Sequence, residues 1–137
     1  MRVAATASIQ APPEAVFDTL ADARNEPQWN SRVSSAELRS GEPIGVGSRF
    51  AIVNGGTAYD VTIATYERPT RLVLEGVGKP DVTIAYGFRP NDDSTEMTSD
   101  FDFRPEGITK LVFALLAPLI RRDVDKQYAS FRSFCER

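Results

Sequence analysis

Residues 94–134 read STEMTSDFDFRPEGITKLVFALLAPLIRRDVDKQYASFRSF, and the change of period inside them decides the fold. From Ser94 to Arg104 the chain alternates. Met97, Ser99, Phe101 and Phe103 point one way; Glu96, Thr98, Asp100, Asp102 and Arg104 point the other. Such alternation marks a strand with one dry and one wet face. After Pro105 the period becomes helical: Ile108, Leu111, Val112, Leu115 and Leu119 recur three or four apart, and Val124, Tyr128, Phe131 and Cys135 continue a stripe. A continuous helix over 107–134 would be about 42 Å long at about 1.5 Å per residue. A domain of this length has a radius of gyration of only about 14 Å, so the helix must cross the entire sheet. Pro118 lacks the amide that would bond to residue 114, which predicts a kink or a break there.

Upstream of residue 94 the period is two. Strands are expected over 34–39, 48–53, 57–66, 71–76 and 81–89, joined by turn residues at Asn54-Gly55, Pro69, Gly78-Lys79-Pro80 and Asn91-Asp92-Asp93. Tyr59, Val61 and Ile63 share one face of their strand, Leu72 and Leu74 one face of the next, and Val82, Ile84, Tyr86 and Phe88 one face of the third. Short turns between consecutive strands imply an antiparallel meander. The chain begins with a further alternating segment, Val3, Ala5, Ala7 and Ile9, which Pro12 and Pro13 stop. Pro13 suits the first turn of a helix, whose apolar side carries Val16, Phe17 and Leu20. Asp22 is placed to cap a second short helix, which Pro27 interrupts just before Trp29.

Composition narrows the function classes. The chain has 137 residues, 16 Lys+Arg against 19 Asp+Glu, a net charge of -3, one cysteine and no histidine. One domain covering 1–137 is expected at this length. A mildly acidic chain without a cationic block argues against nucleic-acid binding. Without histidine, the Ser/His/Asp and Cys/His arrangements and the common zinc sites are absent. No metal and no cofactor is expected: Asp100 and Asp102 share a wet face, where two acids are ordinarily just solvated. Gly41, Gly45, Gly47, Gly55 and Gly56 match neither the phosphate-loop nor the dinucleotide-binding spacing and read as turn formers. A lone cysteine forms no internal disulfide, and the apolar run 111–120 is too short to span a bilayer. A cytoplasmic protein without stable membrane insertion is the expectation, with a homodimer left open.

The order of these elements, together with APPEAVFDTLAD (11–22), the Asn25 to Trp29 stretch and AELRSGEPIGVGSRF (36–50), resembles the START / Bet v 1-like (SRPBCC) superfamily, and within it the polyketide cyclase/dehydrase-like branch. The resemblance covers nearly the whole chain. It implies an α+β helix-grip fold, in which a curved antiparallel sheet wraps around a long C-terminal helix after two short helices that follow the first strand. It also implies a cavity between sheet and helix that takes a small hydrophobic or aromatic molecule, lipid or polyketide-like.

With that cavity in view, the inward positions become candidate ligand contacts. They are Trp29 at the helical rim; Phe50, Tyr59, Ile63, Leu72 and Leu74 on the middle strands; Ile84, Tyr86, Phe88, Met97, Ser99 and Phe101 on the later ones; and Leu111, Leu115 and Leu119 on the helix. Tyr59, Tyr86 and Ser99 bring hydroxyls that need partners when buried, from a guest, a neighbouring side chain or trapped water. If the protein is an enzyme, Tyr59 and Tyr86 are the catalytic candidates, polarising a carbonyl during aldol-type cyclisation or dehydration; no catalytic base is evident. Glu26 and Arg24 lie near the expected mouth, where they would meet a ligand's polar end. Three readings follow: a carrier or sensor, a cyclase/dehydrase-type enzyme, or an interaction or membrane-adjacent factor whose cavity is filled.

Overall fold

The computed structural model describes all residues, 1–137. Strand β1 (Arg2–Ile9) leads into helix α1 (Pro13–Ala21), a 3-10 turn (Ala23–Asn25) and the single-turn helix α2 (Glu26–Trp29). Six strands follow: β2 (Val33–Leu38), β3 (Arg49–Asn54), β4 (Thr57–Glu67), β5 (Arg71–Val77), β6 (Asp81–Asn91) and β7 (Ser94–Arg104). Helix α3 (Ile108–Cys135) closes the chain. All seven strands form one antiparallel sheet in the order β1-β7-β6-β5-β4-β3-β2. This is the expected helix-grip arrangement: the meander runs from β2 to β7, and β1 closes against β7.

Local chemistry explains the turns. Asn54 pairs with Thr57 across a two-residue loop, Gly55-Gly56, and both glycines take positive φ (58° and 82°). That is the geometry a tight hairpin requires and the reason the loop carries two residues without a Cβ. Asp92 (φ 54°) plays the same part in the β6–β7 turn. Three details depart from the reading by period alone. Pro27 sits in the first turn of α2 rather than interrupting a helix, while Asp22 caps the preceding 3-10 turn by accepting from the Arg24 amide at 3.1 Å. Pro118 lies inside α3, which continues through it without a break.

A bulge in β4 shifts the register between Ile63 and Thr65, so that Ile63 lies opposite Leu74 and Tyr66 lies opposite Leu72. The extra residue keeps both Ile63 and Tyr66 against the core. At that end of the sheet α1 presses down on the strands. Phe17 is fully buried, with its ring edge-on to Tyr66 at 5.1 Å and to Phe88 at 5.3 Å. The Thr95 hydroxyl, also buried, donates to the Ala11 carbonyl at 2.7 Å and ties β7 to the start of α1.

Helix α3 is divided along its length. Its second half buries Val124, Gln127, Tyr128 and Phe131 against β1, α1 and α2, where Trp29 meets Phe131 edge-on at 4.9 Å. Its first half has no fully buried residue. This asymmetry creates the space described next.

Candidate functional site

Between the first half of α3 and the concave face of the sheet lies a cavity of about 470 Å³. Its volume falls within the range typical of small-molecule sites, roughly 300–1,000 Å³. An aromatic ladder forms part of its wall. Tyr86 meets Phe101 at 6.2 Å, Phe101 stacks on Phe103 at 6.1 Å, and Phe103 reaches Phe113 of α3 at 5.9 Å. Leu74, Ile84 and Met97 also line it, as does Val82. The small residue Gly76 lies under this wall: a Cβ there would come within 3.0 Å of Val82 and 3.7 Å of Tyr59.

Eight of the fifteen residues expected to meet a ligand line this cavity: Trp29, Tyr59, Leu74, Ile84, Tyr86, Met97, Phe101 and Leu119. The other seven do not, for three physical reasons. Phe50, Ile63, Leu72 and Phe88 do face inward, but neighbouring side chains cover them completely or nearly so, and they are packed core. Ser99 is buried beside the cavity rather than on its lining. Leu111 and Leu115 point away from the sheet, 62% and 73% exposed. The helical positions that turn inward are Phe113, Leu116 and Ile120 instead, with Val124, Tyr128 and Phe131 further along. No helix is long and apolar enough to cross a membrane.

Leu116 and Leu119 line the cavity and are also largely exposed, which puts an opening beside the first half of α3. Because Leu111 and Leu115 make no buried contact, the double change Leu111→Ser/Leu115→Ser should move the folding free energy by less than about 0.5 kcal/mol each. Urea unfolding checks this; a loss of several kcal/mol would place these side chains in the core after all.

The polar groups are few and concentrated. Tyr59 lies over Gly78, and its hydroxyl donates to the Lys79 carbonyl at 3.3 Å, so it is already engaged. Tyr86 is buried, and loss of hydration holds its phenol well above the ordinary value, so it stays protonated and can donate. Tyr128 is pushed up to about 12, chiefly by burial, with Ser99 acting weakly in the opposite direction. The Ser99 and Tyr128 hydroxyls are both buried and neither makes a hydrogen bond of good geometry. Unpartnered buried hydroxyls are unusual; Tyr128, on the lining, has capacity for a guest, and Ser99, off it, for a trapped water. Cys135, by contrast, lies off the cavity, and burial raises its thiol to about 12.

Glu26 is the one acid on the lining without an ion-pair partner. Its side chain makes no hydrogen bond either, and part of its surface opens into the cavity while protein atoms surround the rest. Burial alone raises its carboxyl to about 7. Asp123 also lines the cavity but is paired with Arg32 at 3.6 Å. Arg24, expected beside Glu26, turns away to Asp22 and Glu42, both at 2.9 Å, and is not on the lining.

A carboxyl raised from 4.5 to about 7 binds its proton more tightly folded than unfolded. Its contribution is therefore present below pH 4.5 and is lost as pH rises through 7. Glu26→Gln should remove that loss, so the variant should melt above the wild type at pH 8, with the gap closing by about pH 4. Equal melting temperatures at both pH values would mean that the carboxyl is well hydrated.

The comparisons with known proteins place the chain in a family. A family model described as polyketide cyclase / dehydrase and lipid transport matches residues 1–136. The chain belongs to that family. No curated protein matches it. Among solved structures, a START superfamily protein from Mycobacterium smegmatis aligns over 98% of this chain and 97% of its own, with a TM-score of 0.77 and 14% identity. Ara h 8.0201 aligns over 98% and 97%, with a TM-score of 0.72 and 13% identity. The di-domain ARO/CYC StfQ from the steffimycin biosynthetic pathway aligns over 98% of this chain but 44% of its own, with a TM-score of 0.72 and 19% identity. At these identities the likeness establishes the fold shared by this family member and its neighbours, and not a common ligand.

Proposed function

We propose that this family member binds a small, largely apolar or aromatic molecule in the cavity between α3 and the sheet, and acts as a carrier or sensor. The observation that carries the reading is the open chamber itself, about 470 Å³ walled by aromatic and aliphatic side chains. Protein interiors are otherwise close-packed, so a void of this size in a domain of this length is costly unless a guest fills it. Each Å² of apolar surface covered would contribute about 25 cal/mol, with the buried hydroxyls orienting the guest.

Trp29 makes the test simple, because it is the protein's only tryptophan and lines the cavity. Titration with neutral apolar compounds of graded size should shift its emission saturably at one site per chain. A flat response across the whole series would count against the proposal.

A second reading, cyclase or dehydrase chemistry, draws on the family description and on one further observation. Tyr86, a protonated hydroxyl, and Glu26, a carboxyl raised into the neutral range, line the same cavity. A hydroxyl that polarises a carbonyl and a carboxylate that accepts a proton are what enolisation requires. Recovery of a chemically altered guest after incubation would favour this reading over carriage.

A further inference from the structure

Building on the proposed binding role, we infer that the cavity is specialised for an apolar or aromatic molecule bearing a protonated amine, with Glu26 as the group that recognises the charge. Glu26 opens α2 and Trp29 closes it, so the carboxyl and the indole belong to the same helical turn and both line the cavity. Tyr86 and Tyr128 line the same cavity. The acid thus shares its cavity with electron-rich rings, and no arginine or lysine pairs with it. Arg32 is committed to Asp123, and Arg24 to Asp22 and Glu42. Lys79 is on the lining too, in the β5–β6 turn, and forms no ion pair with Glu26.

An ionised carboxylate withdrawn from water is costly unless a counter-charge meets it, and nothing in the chain supplies one. A neutral hydroxyl would gain little from Glu26 that Tyr86, Tyr128 or Gln127 could not also offer. A cation gains twice: it pairs with the carboxylate, and it can sit against the faces of Trp29 and Tyr86. An anionic guest would gain nothing from Glu26 and would have to reach Lys79 at the β5–β6 turn instead. Because the empty site holds its proton into the neutral range, binding of an ammonium group should also release protons near pH 7.

Three probes with one ring system separate charge from shape: 2-naphthylmethylamine, 2-naphthalenemethanol and 2-naphthoic acid. Isothermal titration calorimetry at pH 7.5 would be run with wild type and Glu26→Gln. The expected result is an amine bound at least about tenfold tighter than the alcohol, a naphthoate weaker than both, and an amine-to-alcohol ratio near one in Glu26→Gln; a factor of ten corresponds to ~1.4 kcal/mol. Repeating the amine titration in buffers of different ionisation enthalpy should show proton release in wild type only. If the alcohol binds wild type as tightly as the amine, or if the preference survives Glu26→Gln, the charge inference falls while cavity binding stands. If none of the three binds, both fall.

Discussion

Phe17→Ala is expected to lower folding stability by about 3–5 kcal/mol, the usual cost of deleting a buried aromatic ring. For a chain of this size that amounts to a fall in melting temperature on the order of 10–15 °C. The reason lies in the position of the ring. Phe17 is the point at which α1 grips the sheet, edge-on to Tyr66 from β4 and to Phe88 from β6. Its removal would leave a hole lined by side chains that are themselves buried, and the backbone there has little freedom to collapse, since Thr95 anchors the start of α1 to β7. Guanidinium unfolding gives the number. A cost below about 1 kcal/mol would mean that this end of the sheet is not close-packed, and the distinction between a filled end and an open end would be lost.

The second large effect is functional. Ile84 lies opposite Leu74 on one side and Phe101 on the other, and all three face the cavity. Ile84→Trp should project an indole into space that is already unfilled. Affinity for any guest of the cavity should fall on the order of 100-fold, or ~3 kcal/mol, because the guest and the indole would compete for the same volume. Stability should change little, in contrast with ordinary overpacking, which costs about 1–3 kcal/mol. The pair of measurements is diagnostic. Lost binding with retained stability fits an open chamber, whereas lost stability with unchanged binding would place the guest elsewhere.

The contrast between Phe17 and Ile84 shows how far the sequence could be read. Alternation identifies the inward faces of β1, β5, β6 and β7, because a period of two follows from the pleat alone, but it fails past the bulge of β4, where Tyr66 rather than Thr65 turns to the core. It could not say which inward residues are covered. Phe88 and Ile84 stand on the same face of β6, but α1 covers the first and the raised half of α3 leaves the second open. That difference arises from contacts between distant segments, for which local periodicity carries no signal.

Leu111 and Leu115 lie off the cavity for a related reason. The first half of α3 is apolar on two sides, and a stripe through Ile108, Leu111 and Leu115 looks as much like a core face as one through Phe113 and Ile120. Continuity would have separated them. Counting back from Phe131 and Val124, which the second half buries, leads to Ile120 and Phe113, while Leu115 is rotated roughly 160° from Phe131 at about 3.6 residues per turn. Glu26 was legible only as a polar residue near a rim. That its side chain has no partner depends on Arg24 turning toward Asp22 and Glu42, a choice made in three dimensions.

Xenon diffraction addresses the central claim most directly, because the gas is an apolar guest with no chemistry of its own. In crystals of the protein held under xenon pressure, anomalous density should appear among Leu74, Ile84 and Phe101, and should vanish in Ile84→Trp. Density absent from that space, with Phe113 and Leu116 collapsed onto Ile84, would contradict the account.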